Sequence, residues 1–160
     1  ILKNMGRPPA KQSFRLIEKM RKKIPGIAIR STLMVGFPGE TDKMFRLMLA
    51  DIKGLGLDWL GCFEYSAQEG TKAAGMPGQV TAKEKKSRYN KVMSAQQAIT
   101  GKINACRLGK TFKVIVDSKN SGHAEFQCPE IDGCFILKNA APGSVIKVTP
   151  HKVSGIYDLM

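Results

Sequence analysis

Two loops of this 160-residue chain carry the residue types that form ligand sites in α/β proteins. The first is VGFPGET, residues 35–41, which lies between an apolar run and a helical pattern. Gly36 and Gly39 permit positive φ and let a ligand approach bare backbone, and the helix that follows would present unpaired N–H groups. The motif is neither a Walker loop nor GxGxxG. Taken alone, it favours an ordinary corner of the fold over a ligand site.

The second loop, FEYSAQEGTKAA at residues 63–74, follows the next apolar run and contains Ser66, Glu69 and Thr71. Because the carboxyl ends of parallel strands meet at one edge of a sheet, we expect the two loops to form one rim. Arg30 is an anomaly within the apolar run IAIRSTLMV, since a buried guanidinium needs a carboxylate or phosphate partner. A structural salt bridge is the commoner arrangement.

Hydrophobic periodicity predicts the elements that position these loops. Apolar residues three or four apart indicate helices over residues 10–24 and 42–54, and the capping box TAKE at residues 81–84 opens a third that ends near Cys106. The runs 27–35 and 57–66 read as strands, the first buried on both faces. The inward side chains are predicted to be Phe14, Ile17, Met20 and Ile24 in the first helix, and Met44, Leu47, Met48, Ile52 and Leu55 in the second.

The predicted secondary structure changes character near Leu108. Before it, helices alternate with strands, as in a parallel α/β layer; after it, five short β-type runs are separated by turn clusters, as in a small antiparallel OB-like barrel. The predicted fold class is therefore α/β followed by all-β, with domains at 1–107 and 108–160. A complete (β/α)₈ barrel takes roughly 250 residues. Residues 1–107 would thus be a piece of a barrel.

Charge and cysteine content restrict the function classes. The chain has 26 Lys and Arg against 13 Asp and Glu, a formal charge of +13, and the excess falls before Leu108, mostly in EKMRKK and KEKKSRYNK. This predicts attraction to polyanions such as RNA, with solvated helix faces as the alternative. The four cysteines lack the spacing of a metal site. With no apolar run of membrane-spanning length and no export signal, a cytoplasmic protein is expected.

Several stretches together resemble the radical S-adenosylmethionine methylthiotransferases. They are ILKNMGRP, IAIRSTLMVGFPGET, GCFEYSAQEGTKAAGMPGQV and CPEIDG, in this order, and they extend over nearly the whole chain. LGCFEYSAQEGT and PEIDG look more like the branch that modifies an aspartate of ribosomal protein S12 than like the branch that modifies tRNA.

The resemblance implies a TIM-type radical S-adenosylmethionine barrel, whose C-terminal part would be residues 1–107, and a TRAM domain at 108–160. It implies S-adenosylmethionine and 4Fe-4S clusters as cofactors. Ribosomal protein S12 or the small ribosomal subunit would be the partner of a monomeric, cytoplasmic enzyme that forms 3-methylthioaspartate. By this resemblance the cofactor-binding residues are Met34, Gly36, Phe37, Gly39, Glu40 and Ser66, and the substrate or partner contacts are Arg30, Glu69, Thr71, Glu130 and Asp132.

The sequence also departs from the family pattern. No CxxxCxxC motif is present. We therefore expect this chain to be a C-terminal fragment that holds no cluster and is inactive alone. No catalytic residue is assigned. Ala67, Gln68 and Lys72 stand where the family usually has Pro, Glu and Pro. Two alternatives stay open: a tRNA methylthiotransferase that modifies an adenosine beside the anticodon, and a non-catalytic basic RNA-binding module.

Overall fold

The computed structural model describes all 160 residues and has a mixed α/β fold with three helices and two sheets. The chain divides into two compact units, residues 1–96 and 97–160, and the division falls within the third helix. The domain boundary at residue 107 stays a prediction. None of the three helices combines the length and the apolar character that crossing a bilayer requires.

The first unit follows the predicted order of helix, strand, helix, strand and helix. Its elements are α1 (Ala10–Lys23), β1 (Arg30–Val35), α2 (Asp42–Leu55), β2 (Trp59–Glu64) and the first part of α3 (Ala82–Ala105). β1 and β2 pair in parallel, with Arg30 opposite Trp59 and Val35 opposite Glu64. The predicted parallel α/β arrangement is confirmed for these two strands.

Burial on β1 differs from the prediction that both faces are covered. Arg30, Thr32 and Met34 are exposed and alternate with the better covered Ser31, Leu33 and Val35. Successive side chains of a strand point to opposite faces, so only one face of this sheet is covered within the chain. The prediction that the Arg30 guanidinium is buried is wrong for the same reason.

The helices begin and end near the predicted signals, and the inward side of α2 is predicted in part. Thr41 caps α2 by accepting the Met44 N–H at 3.3 Å, and the left-handed Gly56 closes the helix. Its buried side chains are Phe45 and Ile52. Of the side chains predicted to face inward, Ile52 is buried and Met48 and Leu55 are half-buried, as predicted, whereas Met44 and Leu47 are exposed and the Phe45 ring is buried instead.

In α1 the residues Phe14, Ile17 and Met20 are half-buried, as the predicted stripe requires, whereas Ile24 lies beyond the helix end and is exposed. The capping box of α3 is formed in part. Thr81 Oγ1 accepts the Glu84 N–H at 3.2 Å, while the Glu84 carboxylate accepts a hydrogen bond from Arg88.

The second unit is a six-stranded sheet rather than the five strands predicted. The strands are β3 (Phe112–Ser118), β4 (Ser121–Ala124), β5 (Phe135–Ile136), β6 (Val145–Val148), β7 (Val153–Ser154) and β8 (Asp158–Leu159), in the order β6-β3-β4-β5-β8-β7. All pairs are antiparallel except β5 with β8. The OB-like barrel stays a prediction.

The core of the second unit is aromatic. The rings of Phe112, Phe126 and Phe135 lie 5.2 to 6.1 Å apart between centroids, and the Arg107 guanidinium lies 3.8 Å from the Phe126 ring centroid. The predicted strand HAEFQC ends early, at Ala124. It ends there because Gln127 forms a turn, its N–H donating to Ala124 O at 2.9 Å and its Oε1 accepting the Ala124 N–H at 3.0 Å.

Gly133 is the point of closest approach in this unit. A Cβ at residue 133 would overlap the backbone carbonyl of Tyr157, which a flexible side chain cannot relieve. By contrast, nothing lies within 4 Å of a Cβ built on Gly101, in α3. The glycine of PEIDG is therefore required for packing, whereas Gly101 is not.

We expect Gly133→Ala to lower the free energy of unfolding by about 1–3 kcal/mol, the usual cost of overpacking. Gly101→Ala, the matched control, should raise it by up to about 1 kcal/mol, because alanine is the better helix former. Urea titrations followed by circular dichroism measure both. Equal stability of Gly133→Ala and the parent chain would contradict the packing account.

Candidate functional site

The glycine loop, residues 35–41, connects the carboxyl end of β1 to α2, as its sequence predicts. Gly36 and Gly39 adopt φ of 75° and 82°, values that strongly favour glycine. The Gly39 N–H donates to Gly78 O at 2.9 Å, and the Glu40 N–H donates to Phe37 O at 2.9 Å. The loop is therefore held both by its own turn and by the segment that precedes α3.

The two glycines of this loop have different surroundings. A Cβ at Gly36 would overlap the side chain of Lys85, whose Nζ donates to Tyr65 O at 2.8 Å. Gly36 is thus required for packing against α3. Nothing lies within 4 Å of a Cβ built on Gly39, so at Gly39 the backbone is open to an approaching ligand.

Arg88 of α3 binds three carboxylates from a buried position. Its Nη1 lies 2.6 Å from Glu40 Oε1, its Nη2 2.6 Å from Asp42 Oδ1 and its Nε 3.0 Å from Glu84 Oε1, and its side chain is 4% exposed. Nη1 also donates to the backbone oxygen of Glu40 at 3.0 Å. Burial alone would lower the pKa of Arg88, but the hydrogen bonds to Glu40 and Asp42 outweigh it and raise this pKa.

Two of the predicted cofactor-binding residues support the loop from inside. The Glu40 carboxylate, bound by Arg88, also accepts the Gly36 N–H at 3.1 Å. Phe37 is buried with its ring edge-on to that of Tyr65, the centroids 5.3 Å apart. Sequence reasoning missed Arg88, Lys85 and Tyr65.

Exposed side chains lie beside the loop on the open face of the sheet. Met34 is 38% exposed, and its partner in the parallel register, Phe63, is 61% exposed. Residues in register on parallel strands share a face, so these two apolar side chains are neighbours. Ser66 is exposed just beyond the end of β2. Phe63 was not singled out from the sequence, although its place in an alternating strand could have indicated it.

Tyr65 adds a polar atom to this end of the sheet. Its N–H donates to Val35 O at 2.8 Å, which continues the pairing of β1 and β2 past their ends. Its buried hydroxyl has no hydrogen-bond partner within the chain.

The second loop of the predicted rim is organised by its own hydroxyl and amide groups. Thr71 Oγ1 donates to Gln68 O at 2.7 Å, and the Gln79 amide donates to the backbone oxygens of Ala73, Ala74 and Met76. Glu69 is exposed. Ser66 and Glu69 thus follow the carboxyl end of β2, as predicted.

The remaining predicted contacts belong to other elements of the chain. Arg30 begins β1, so it lies at the opposite end of the strand from the glycine loop. Glu130 and Asp132 belong to the second unit, where Glu130 is exposed with a φ of 65°. Asp132 Oδ2 accepts the Cys128 N–H at 2.8 Å, which braces the turn around the exposed Ile131.

The chain contains no group of three or more His, Cys, Asp or Glu side chains that could hold a metal ion. Cys62 is buried, and burial, followed by the charges of Glu40 and Glu64, raises its pKa to about 11. Burial and Asp158 likewise raise the pKa of Cys134. A 4Fe-4S cluster is held by a group of Cys thiolates, and no three Cys side chains of this chain lie together, so the cysteines present do not fit such a cluster.

No family model matches the chain. The whole chain is similar to curated proteins named ribosomal protein uS12 methylthiotransferase RimO. It is 39% identical to the relative from Moorella thermoacetica, 42% identical to that from Clostridium acetobutylicum and 36% identical to that from Syntrophotalea carbinolica. The aligned region is 38%, 38% and 37% of these relatives, respectively. The chain thus spans less than two-fifths of their length, at their carboxyl-terminal end.

Removing the Arg88 cation should destabilise the first unit. Arg88→Met leaves the buried Glu40 carboxylate uncompensated, and we expect a loss of about 3–5 kcal/mol in the free energy of unfolding. Arg88→Met with Glu40→Gln should recover most of it, since neither member of the buried pair then carries an uncompensated charge. Urea titration followed by fluorescence of Trp59, the single tryptophan and buried in β2, reports on this unit.

Lys91→Met is the matched control, because Lys91 is an exposed cation on the same helix and should change stability by no more than about 0.5 kcal/mol. A double variant as unstable as Arg88→Met would show that the ion pair is not the cause.

Proposed function

This chain belongs to the family of the uS12 methylthiotransferases RimO, and we propose that it serves as the carboxyl-terminal portion of an enzyme that methylthiolates an aspartate of ribosomal protein uS12. Similarity at 36–42% identity to relatives of that name, along the whole chain, is the observation that carries the proposal. A tRNA substrate lacks comparable support, because none of these three relatives is named for one.

We assign residues 1–107 to the last part of a radical S-adenosylmethionine barrel and 108–160 to a TRAM-like domain. The parallel pairing of β1 and β2 with α2 between them is the repeating unit of such a barrel. The uncovered face of this sheet, with Thr32, Met34 and Phe63, would then face the barrel interior. This assignment explains why apolar side chains are exposed on one face of β1 and β2.

The glycine loop and its surroundings suit one end of S-adenosylmethionine. Met34, Gly39 and Ser66 are exposed at the carboxyl ends of β1 and β2 and would contact the cofactor, which supplies the methyl group and the adenosyl portion for radical chemistry. Gly36, Phe37 and Glu40 would act indirectly, by holding the loop in place. The buried, unpartnered hydroxyl of Tyr65 is a further polar group at this end.

No residues of this chain fit a 4Fe-4S cluster, so the cluster ligands would belong to the part of the enzyme that lies outside the matched region. On this account the chain alone is inactive. The proposed substrate contacts remain Glu69 and Thr71, which lie beside the rim, and Arg30, which lies at the other end of β1. Monomeric state and cytoplasmic location stay predictions.

A chimaera tests the proposal. The matched carboxyl-terminal portion of the Moorella thermoacetica relative is replaced by this chain, and the enzyme is reconstituted with iron, sulfide and S-adenosylmethionine. We expect mass spectrometry of digested uS12 to show one methylthio group on an aspartate, as with the unaltered relative, and no product with this chain alone. A chimaera that cleaves S-adenosylmethionine at the relative's rate but leaves uS12 unmodified, or modifies tRNA instead, would contradict the proposal.

The same chimaera tests the contact of the second unit with uS12, which we propose to be made by Glu130. Glu130→Lys should raise the KM for uS12 about tenfold, because a like charge would then face a basic protein. Cleavage of S-adenosylmethionine without uS12 should not change. Glu125→Lys is the matched control, since Glu125 is also an exposed acid of this unit. Equal effects of the two variants would exclude a specific contact at Glu130.

A further inference from the structure

Helix α1 carries a row of cations along one side. Lys11, Arg15, Lys19 and Lys22 are all exposed and are spaced by four, four and three residues. At 3.6 residues per turn they fall within an arc of about 80°, and neighbours along the row are separated by a rise of about 4.5–6 Å. We call these four residues the basic stripe.

The stripe faces away from the side by which α1 is attached to the first unit. The half-buried residues Phe14, Ile17 and Met20 lie on the opposite side of the helix. Arg21 fixes the helix in place, because its guanidinium donates to Leu55 O at 2.5 Å and Gly56 O at 2.7 Å at the end of α2. The stripe is therefore held on a fixed scaffold with its charges in solvent.

The charges of the stripe are not neutralised within the chain. None of its four cations forms an ion pair, whereas Arg88 binds three carboxylates. Glu18, the single acidic residue of α1, is exposed on the same side, three residues from Arg15 and four from Lys22, and forms no ion pair with either, so the formal charge of this side is still +3. Like charges at i and i+4, as in Lys11 with Arg15 and Arg15 with Lys19, destabilise a helix by about 0.2–0.5 kcal/mol per pair, and Glu18 offsets only part of this repulsion. A regular polyanion would remove that repulsion.

We propose that the basic stripe of α1 binds the phosphate backbone of RNA without regard to sequence. Closely and evenly spaced cations match a regular row of phosphates, and counterion release supplies the binding free energy. A membrane is a poorer match, since an interfacial helix buries its apolar side in lipid and that side of α1 is partly covered by the first unit. An acidic protein is also a poorer match, because the stripe holds no aromatic side chain to anchor one.

The proposal is independent of methylthiotransferase activity, and this chain alone suffices to test it. The probe is a fluorescein-labelled 20-nucleotide single-stranded RNA of mixed sequence, and anisotropy gives its Kd between 50 and 200 mM KCl. The variant carries Lys11→Gln, Arg15→Gln, Lys19→Gln and Lys22→Gln. The matched control carries Lys110→Gln, Lys119→Gln, Lys138→Gln and Lys152→Gln, four exposed lysines of the second unit. Circular dichroism verifies that both variants remain folded.

If four phosphate contacts are lost, the slope of log Kd against log salt should fall by about 3 in the stripe variant, with binding at 50 mM KCl at least about tenfold weaker. The control, with the same change in formal charge, should retain the slope. Equal losses in both variants, or no binding of RNA by the parent chain, would overturn the proposal. So would stripe-dependent binding of phosphatidylserine vesicles or polyglutamate with RNA binding unchanged.

Discussion

The buried guanidinium of Arg88 is the interaction on which the arrangement of the first unit depends. Its carboxylate partners come from the glycine loop, through Glu40, from the first residue of α2, Asp42, and from its own helix, through Glu84. A buried cation is tolerated only while its partners and hydrogen bonds are in place. Because Glu40 and Asp42 are 48 and 46 residues away, the contact fixes α3 against the glycine loop, and any other register would leave a charge buried and unpaired.

The glycine loop takes its shape from that contact. Arg88 orients Glu40, whose carboxylate accepts the Gly36 N–H and so holds the backbone at a residue with positive φ. Gly39 is held separately, by the backbone oxygen of Gly78. The buried residues of the loop therefore position it, while Met34 and Gly39 remain accessible. A site whose contact residues are held by a buried second layer is preorganised for its ligand.

The sequence predicted the features that are decided locally. Strand, turn and helix around VGFPGET follow from glycine, proline and the Thr41 cap, all within a few residues. Arg88 was not predicted, because it lies in the basic run KEKKSRYNK, where a solvated face is the ordinary interpretation and partners more than 40 residues away decide its burial. The exposed face of β1 was missed for a related reason. Apolar composition shows that a strand can be buried, but not whether the chain supplies a cover for its second face.

The basic residues of the first unit therefore fall into two groups with different physical origins. Arg88 and Arg21 are used by the fold: their planar guanidinium groups bind several oxygens at once, which a lysine cannot do. The four cations of the basic stripe form no such contacts within the fold. At physiological salt the Debye length is about 8 Å, so charges separated by a rise of about 6 Å still repel one another. No carboxylate of the fold forms an ion pair with the row, so its charges remain available to a polyanion from outside the chain.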